Sequence, residues 1–195
     1  MTDHRSDLGR DLARIAVFAA LIVVLGTVSV PLPTGVPITG QTLGVMLAGT
    51  VLGARRAPLA VLVVVVLAAV GLPVLAGGRG GLAAFVGPTA GYMLGWVVGA
   101  VVIGLIARSR RLTWWRTGLG VLVGGIVVVY LFGIPVQAFV LGIDLGPTAL
   151  SSLAFLPGDL LKAAAATALT MALARAYPPA FGDVVDARRT EPRAV

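Results

Sequence analysis

In the run Pro157-Gly158-Asp159-Leu160-Leu161-Lys162-Ala163, a carboxylate and the chain's only lysine stand three residues apart at the mouth of a long apolar stretch. That spacing puts both side chains on one face of a helix. The first turn also suits Asp159, because the positive end of the helix dipole favours an anion there. Ionisable groups inside an apolar span are costly and are functional candidates by default. A carboxylate accepts from N–H groups and an ammonium donates to a carbonyl, so a small polar head offering both replaces the water each ion loses. A cyclic urea, an amide and a zwitterion all meet that description, and a mutually neutralising pair that only stabilises the helix mouth is the alternative. Phe85, Tyr92 and the surrounding aliphatics supply nonpolar walls for an apolar ligand body.

The composition around this pair is that of an integral membrane protein. Of the 195 residues, 58 % are hydrophobic and 12 % charged, with a mean hydropathy of +1.01, against about 45–50 % and about 25 % in soluble domains. The absence of cysteine excludes a disulfide framework and thiolate metal sites. The one histidine, His4, lies in the N-terminal segment, which leaves histidine-based catalysis and zinc hydrolysis without their usual groups. Ser151 and Ser152 have no histidine or second lysine near them, so an intramembrane enzyme is disfavoured and no cofactor is implied. The lone lysine follows Leu161, so no nucleotide-binding P-loop exists, and ATP-driven work falls to another chain.

Six apolar spans are expected. The first runs from Ile15 to Val30, with no small-residue cleavage site of the signal-peptide kind. On it, Ala13, Ala16 and Ala20 share a small-residue face suited to close helix packing, either within the chain or against another membrane subunit. Three prolines in 31–37 break the helix, and a short second span, Ile38 to Gly53, carries Thr39, Gln41 and Thr42 at its outer end. Arg55 and Arg56 turn the chain into a third span, Pro58 to Leu75. A glycine-rich loop around Arg79 follows. The fourth span starts near Phe85 with Pro88 in its first turn and runs to Ala107, with Gly91, Gly95 and Gly99 every four residues. The fifth extends from Gly118 to Phe132, is disturbed at Gly133 and Pro135, and continues irregularly to Leu141. A short helix near 147–153 precedes the sixth, Pro157 to Tyr177. One membrane-embedded domain, 1–177, with a disordered cytoplasmic tail, 178–195, is the expected organisation.

The +7 formal charge follows from topology rather than from a nucleic-acid partner, since the arginines fill the gaps between spans. Placing both termini inside puts three cations in the N-terminal segment, two after span two and four after span four on the cytoplasmic side. Arg175 and three tail arginines join them. Only Arg79 and Lys162, of 15, fall outside. Trp114 and Trp115 among the arginines of the 108–116 loop suit a headgroup boundary.

The succession VPITGQTLGVMLAGTVLG (36–53), GLPVLAGGRGG (71–81), GPTAGYMLGW (87–96) and PGDLLKA (157–163) resembles the BioY family, the biotin-specific substrate-binding S components of energy-coupling factor (ECF) transporters. The resemblance covers most of the chain apart from its ends. It implies an all-α, six-helix S-component fold, N-in and C-in, in the plasma membrane, that captures biotin and works with a transmembrane coupling subunit and two cytoplasmic ATPases. It further implies that Asp159 and Lys162 take the ureido ring. Thr89, Gly91 and Tyr92 of the GPTxGY motif would line the pocket with Phe85, and Gln41 and Thr42 would contribute from span two. Arg79 either neutralises the valerate carboxylate or touches headgroups, and Ala13, Ala16 and Ala20 would dock on the coupling subunit. Ala90 departs from the glycine common at that place in the family. A solitary transporter or facilitator working as an oligomer is the alternative function.

Overall fold

A computed structural model describes residues 3–32, 36–109 and 111–181, with side chains from residue 8 onward. The described residues are helical apart from one small hairpin and the loops. Helix α1, Asp3–Gly26, ends four residues earlier than the apolar run does. There the Thr27 hydroxyl takes the Val24 carbonyl at 2.7 Å, and the chain turns into β1, Ser29–Val30, paired antiparallel with β2, Ile38–Thr39. The expected end of span one at Val30 is therefore corrected: β-branched Val28 and Val30 leave the helix, and Val30 pairs with Ile38 in the hairpin.

Helix α2, Gln41–Ala69, holds spans two and three in one element bent at Gly53, whose φ of 79° lies in the left-handed region that glycine alone enters without strain. The two legs, 41–52 and 54–69, thus turn within a single residue. Gly104 of α3, Ala90–Ala107, packs directly on the Gly53–Ala54 backbone, and Gly49 admits Ile103, where an added Cβ would sit 2.6 Å from that side chain. Thr89 is the N-cap of α3, so Pro88 stands just before the helix, and Leu82–Phe85 is a separate short 3-10 turn. The start expected near Phe85 is corrected to Ala90.

Span five is α4, Trp114–Leu122, a π turn, Val123–Val128, and α5, Val129–Leu141. The helix continues through Gly133 and Pro135, and the irregularity falls earlier, where Gly124 and Gly125 let α3 and Met46 approach closely. Gly91 and Gly95 meet α5, with an added Cβ 2.6 Å from Val136 Cβ and 2.8 Å from Val129 Cα, and Gly99 meets the Gly124 carbonyl. After α6, Leu145–Ser152, helix α7, Leu156–Ala176, packs on α2 through a buried 2.7 Å hydrogen bond between the Thr50 and Thr170 hydroxyls. The chain stays packed as far as a 3-10 turn, Pro178–Phe181. Phe181 is fully buried, and the residues of the expected tail beyond it lie outside the described residues.

Among the described residues, Gln41–Ala69, Ala90–Ala107, Trp114–Leu141 and Leu145–Ala176 are long and apolar enough to cross a membrane. With α1 and the bend in α2 they make six helical legs. Their outer surface is apolar, with Val66, Leu94, Leu105, Val127, Phe139 and Leu161 all exposed, as lipid contact requires. The molecule is an all-α polytopic membrane protein.

Candidate ligand-binding site

At the hairpin end of the bundle, a cavity of about 640 Å³, its open mouth included, is walled by residues from the hairpin, α2, the 75–79 loop, α3, α5 and α7 with the turn before it. The hairpin covers one side with Val36, Pro37, Ile38 and Thr39. The start of α2 supplies Gln41 and Thr42, and the 75–79 loop supplies Leu75, Ala76 and Arg79. The opposite wall is aromatic: Tyr92 and Trp96 from α3, Tyr130 from α5, and Phe155 just before α7. Tyr92 meets Tyr130 and Phe155 edge-on, with centroids 6.4 and 6.5 Å apart. Such T-shaped contacts fix ring orientation in a dry wall.

Asp159 and Lys162 form the polar part of this wall. Lys162 Nζ donates to Asp159 Oδ1 at 2.9 Å, and the Tyr130 hydroxyl donates to Asp159 Oδ2 at 2.7 Å. The Asp159 and Lys162 side chains are 8 % and 16 % exposed, so both ions are largely withdrawn from water. A carboxylate offers about four acceptor sites and an ammonium three donors. One contact between them leaves acceptors and donors side by side, facing the cavity. Burial makes those unused positions valuable to any ligand that fills them.

Tyr92 uses its ring, not its hydroxyl, as wall. The hydroxyl donates to Gln137 Oε1 at 2.7 Å and lies 3.4 Å from Ser152 Oγ, both buried. Gln41 is nearly fully buried and braces the mouth: its Nε2 donates to the Val74 carbonyl at 3.1 Å, tying α2 to the glycine-rich loop. Within that loop the Arg79 Nε donates to the Ala76 carbonyl at 3.1 Å, which leaves the exposed guanidinium at the rim.

The cavity thus gathers Asp159, Lys162, Tyr92, Thr89, Gln41, Thr42 and Arg79. It does not include two other expected residues. Gly91 faces the Phe132 carbonyl and Val136, where it lets α3 lie against α5. Phe85 is half-buried against the core and is absent from the cavity lining. Tyr130, Trp96, Met93, Val129 and Phe155 line the cavity without having been expected. Tyr92, Met93 and Trp96 recur at one- and four-residue spacing, a face detectable from helical period alone. Tyr130, the one polar side chain between Ile126 and Phe132, was a second available signal.

On α1, Ala13, Ala16 and Ala20 are exposed while Ile15, Ala19 and Ile22 turn inward. Among the described residues no three carboxylate or imidazole groups converge in a way that could hold a metal ion.

The BioY family model matches residues 2–179. A biotin transporter BioY of Rhizobium etli is 48 % identical over 180 residues, covering 87 % of this chain and 95 % of that protein. A probable biotin transporter BioY of Bacillus subtilis is 47 % identical over 170 residues, covering 85 % and 91 %. Among solved structures, the 2.1 Å crystal structure of the S-component for biotin from an ECF-type ABC transporter superposes with a TM-score of 0.82 at 32 % identity, covering 90 % of this chain and 95 % of that one. With a family match across nearly its whole length, relatives nearly half identical to it and a solved structure of like fold, this chain belongs to the BioY family.

Proposed function

We propose that this protein is the biotin-capturing S component of an ECF-type importer of the plasma membrane. The observation that carries the reading is the Asp159–Lys162 pair, at 2.9 Å, in the wall of a largely apolar and aromatic cavity. The ureido N–H groups of biotin donate to Asp159 and its carbonyl accepts from Lys162. The fused rings lie against Tyr92, Tyr130 and Trp96. The valerate chain leads to the mouth, where Arg79 meets the carboxylate and Gln41, Thr42 and Thr89 border the path. The relatives and the solved S component described above support biotin as the substrate.

Both termini lie in the cytoplasm, which the distribution of arginines supports. The cavity then opens outward. With no P-loop in the sequence, energy comes from two ATPase subunits through a transmembrane coupling subunit, which docks on the exposed Ala13, Ala16 and Ala20 face. Proteoliposomes holding this chain alone should bind labelled biotin without concentrating it. Addition of the coupling subunit, the ATPases and ATP should produce accumulation. Biotin flux through the chain alone would instead mark a solitary transporter.

A further inference from the structure

At the end of the bundle away from the biotin cavity, a second cavity of about 790 Å³, its open mouth included, lies between the α2 bend and the end of α3. Three of its nine lining residues are arginines, Arg55, Arg56 and Arg108, joined by Ser109, and no carboxylate lines it. The neighbouring contacts hold the arginines in place. Arg56 Nε donates to Asp11 Oδ2 of α1 at 2.8 Å, leaving its two amino groups outside that bond. The Arg108 guanidinium takes the Val51 carbonyl and lies over the Phe181 ring, 5.6 Å from its centroid. Arg55 is exposed at the rim. Asp11, bound to Arg56 at the edge, is the carboxylate these contacts bring to the cluster.

The surroundings of the cavity are those of a headgroup layer. Leu105, in its wall, is 58 % exposed, and Leu59, one helical turn beyond Arg55 on the same face, is 47 % exposed. Trp114 and Trp115 are exposed at the same end, as interfacial tryptophans are. A site that joins a planar, multidentate cationic cluster to an apolar flank suits a phosphate carrying acyl chains.

We propose that this cavity binds the phosphate group of an anionic phospholipid, with Arg55 and Arg56 donating to its oxygens and the acyl chains lying along Leu105 and Leu59. The ligand chemistry is a phosphate ester anion; free phosphate is its other source. Lipid held there sits on the joint between the two legs of α2.

The test is native mass spectrometry of the full chain titrated with phosphatidylglycerol and, separately, with phosphatidylcholine of the same acyl chains. A thermal melt in inorganic phosphate forms the second arm. Phosphatidylglycerol should bind more tightly, and Arg55→Gln should weaken it by roughly fivefold. Arg175→Gln, in the last turn of α7 at the same end and outside the cavity lining, should change it little, and biotin affinity should stay unchanged in both variants. Protection by inorganic phosphate that Arg55→Gln removes and that cancels the lipid preference would keep the site and make free phosphate its ligand. Equal binding of the two lipids, or equal losses in Arg55→Gln and Arg175→Gln, would overturn the proposal and leave only general surface charge.

Discussion

The Tyr130 hydroxyl donates to Asp159 Oδ2 at 2.7 Å from a helix that meets α7 across the cavity. Asp159 is therefore held from both sides, by Lys162 one turn along its own helix and by Tyr130 from α5. Two donors on two oxygens fix the carboxylate plane, so its remaining acceptor sites are aimed before ligand arrives. Tyr130→Phe removes one donor and keeps the ring. The expected loss of biotin affinity is about tenfold, within what a hydrogen bond to a charged group contributes. Calorimetry measures it, and an unchanged dissociation constant would show that Lys162 alone orients the carboxylate.

Gly91→Ala should act on folding rather than on ligand. The new methyl would meet the Phe132 carbonyl and sit 2.6 Å from Val136 Cβ. Neither neighbour can rotate away freely, since one is backbone and the other sits on the facing helix. Overpacking of this kind typically costs about 1–3 kcal/mol. The thermal midpoint in detergent should fall, while the protein that remains folded binds biotin nearly as the parent does. A tenfold affinity loss with no loss of stability would return Gly91 to the site.

Arg79 borders the mouth with its Nε tied to the Ala76 carbonyl. If it meets the valerate carboxylate, Arg79→Gln weakens biotin but leaves the neutral biotin amide unaffected. Titration of both ligands against both proteins separates this from a headgroup contact, for which neither affinity would change.

The exposed small face of α1 lies outside the cavity lining. Replacing Ala16 and Ala20 together by leucine should therefore leave biotin affinity unchanged and prevent co-purification with the coupling subunit. Retained assembly would move the docking surface elsewhere on the bundle.

How much of this was legible in the sequence depends on whether a feature is local. Asp159 and Lys162 stood out because charge inside an apolar helix is rare, and a three-residue spacing needs no tertiary information. The aromatic wall was only half visible. Tyr92 and Trp96 share a helical face, whereas the Tyr130–Asp159 bond joins positions 29 residues apart and exists only once α5 meets α7. Gly91 was legible as a small residue, but whether it faced ligand or helix was decided by the partner opposite it. The bend was misread for a similar reason. Arg55 and Arg56 announced a turn, but the change of direction is made by Gly53 with its φ of 79°. Phe181 looked like part of a polar tail and is instead buried beneath Arg108, a contact that no local pattern encodes.

The central claim is that the Asp159–Lys162 pair is the recognition element for biotin. Calorimetry with biotin on the parent protein, Asp159→Asn, Lys162→Met and the double variant tests it most directly. Breaking a buried pair on one side leaves the other charge uncompensated, at a cost of about 3–5 kcal/mol, whereas removing both is nearly neutral for folding. The double variant should therefore melt near the parent temperature and bind no biotin. A double variant that is folded and still binds biotin with parental affinity would contradict the account.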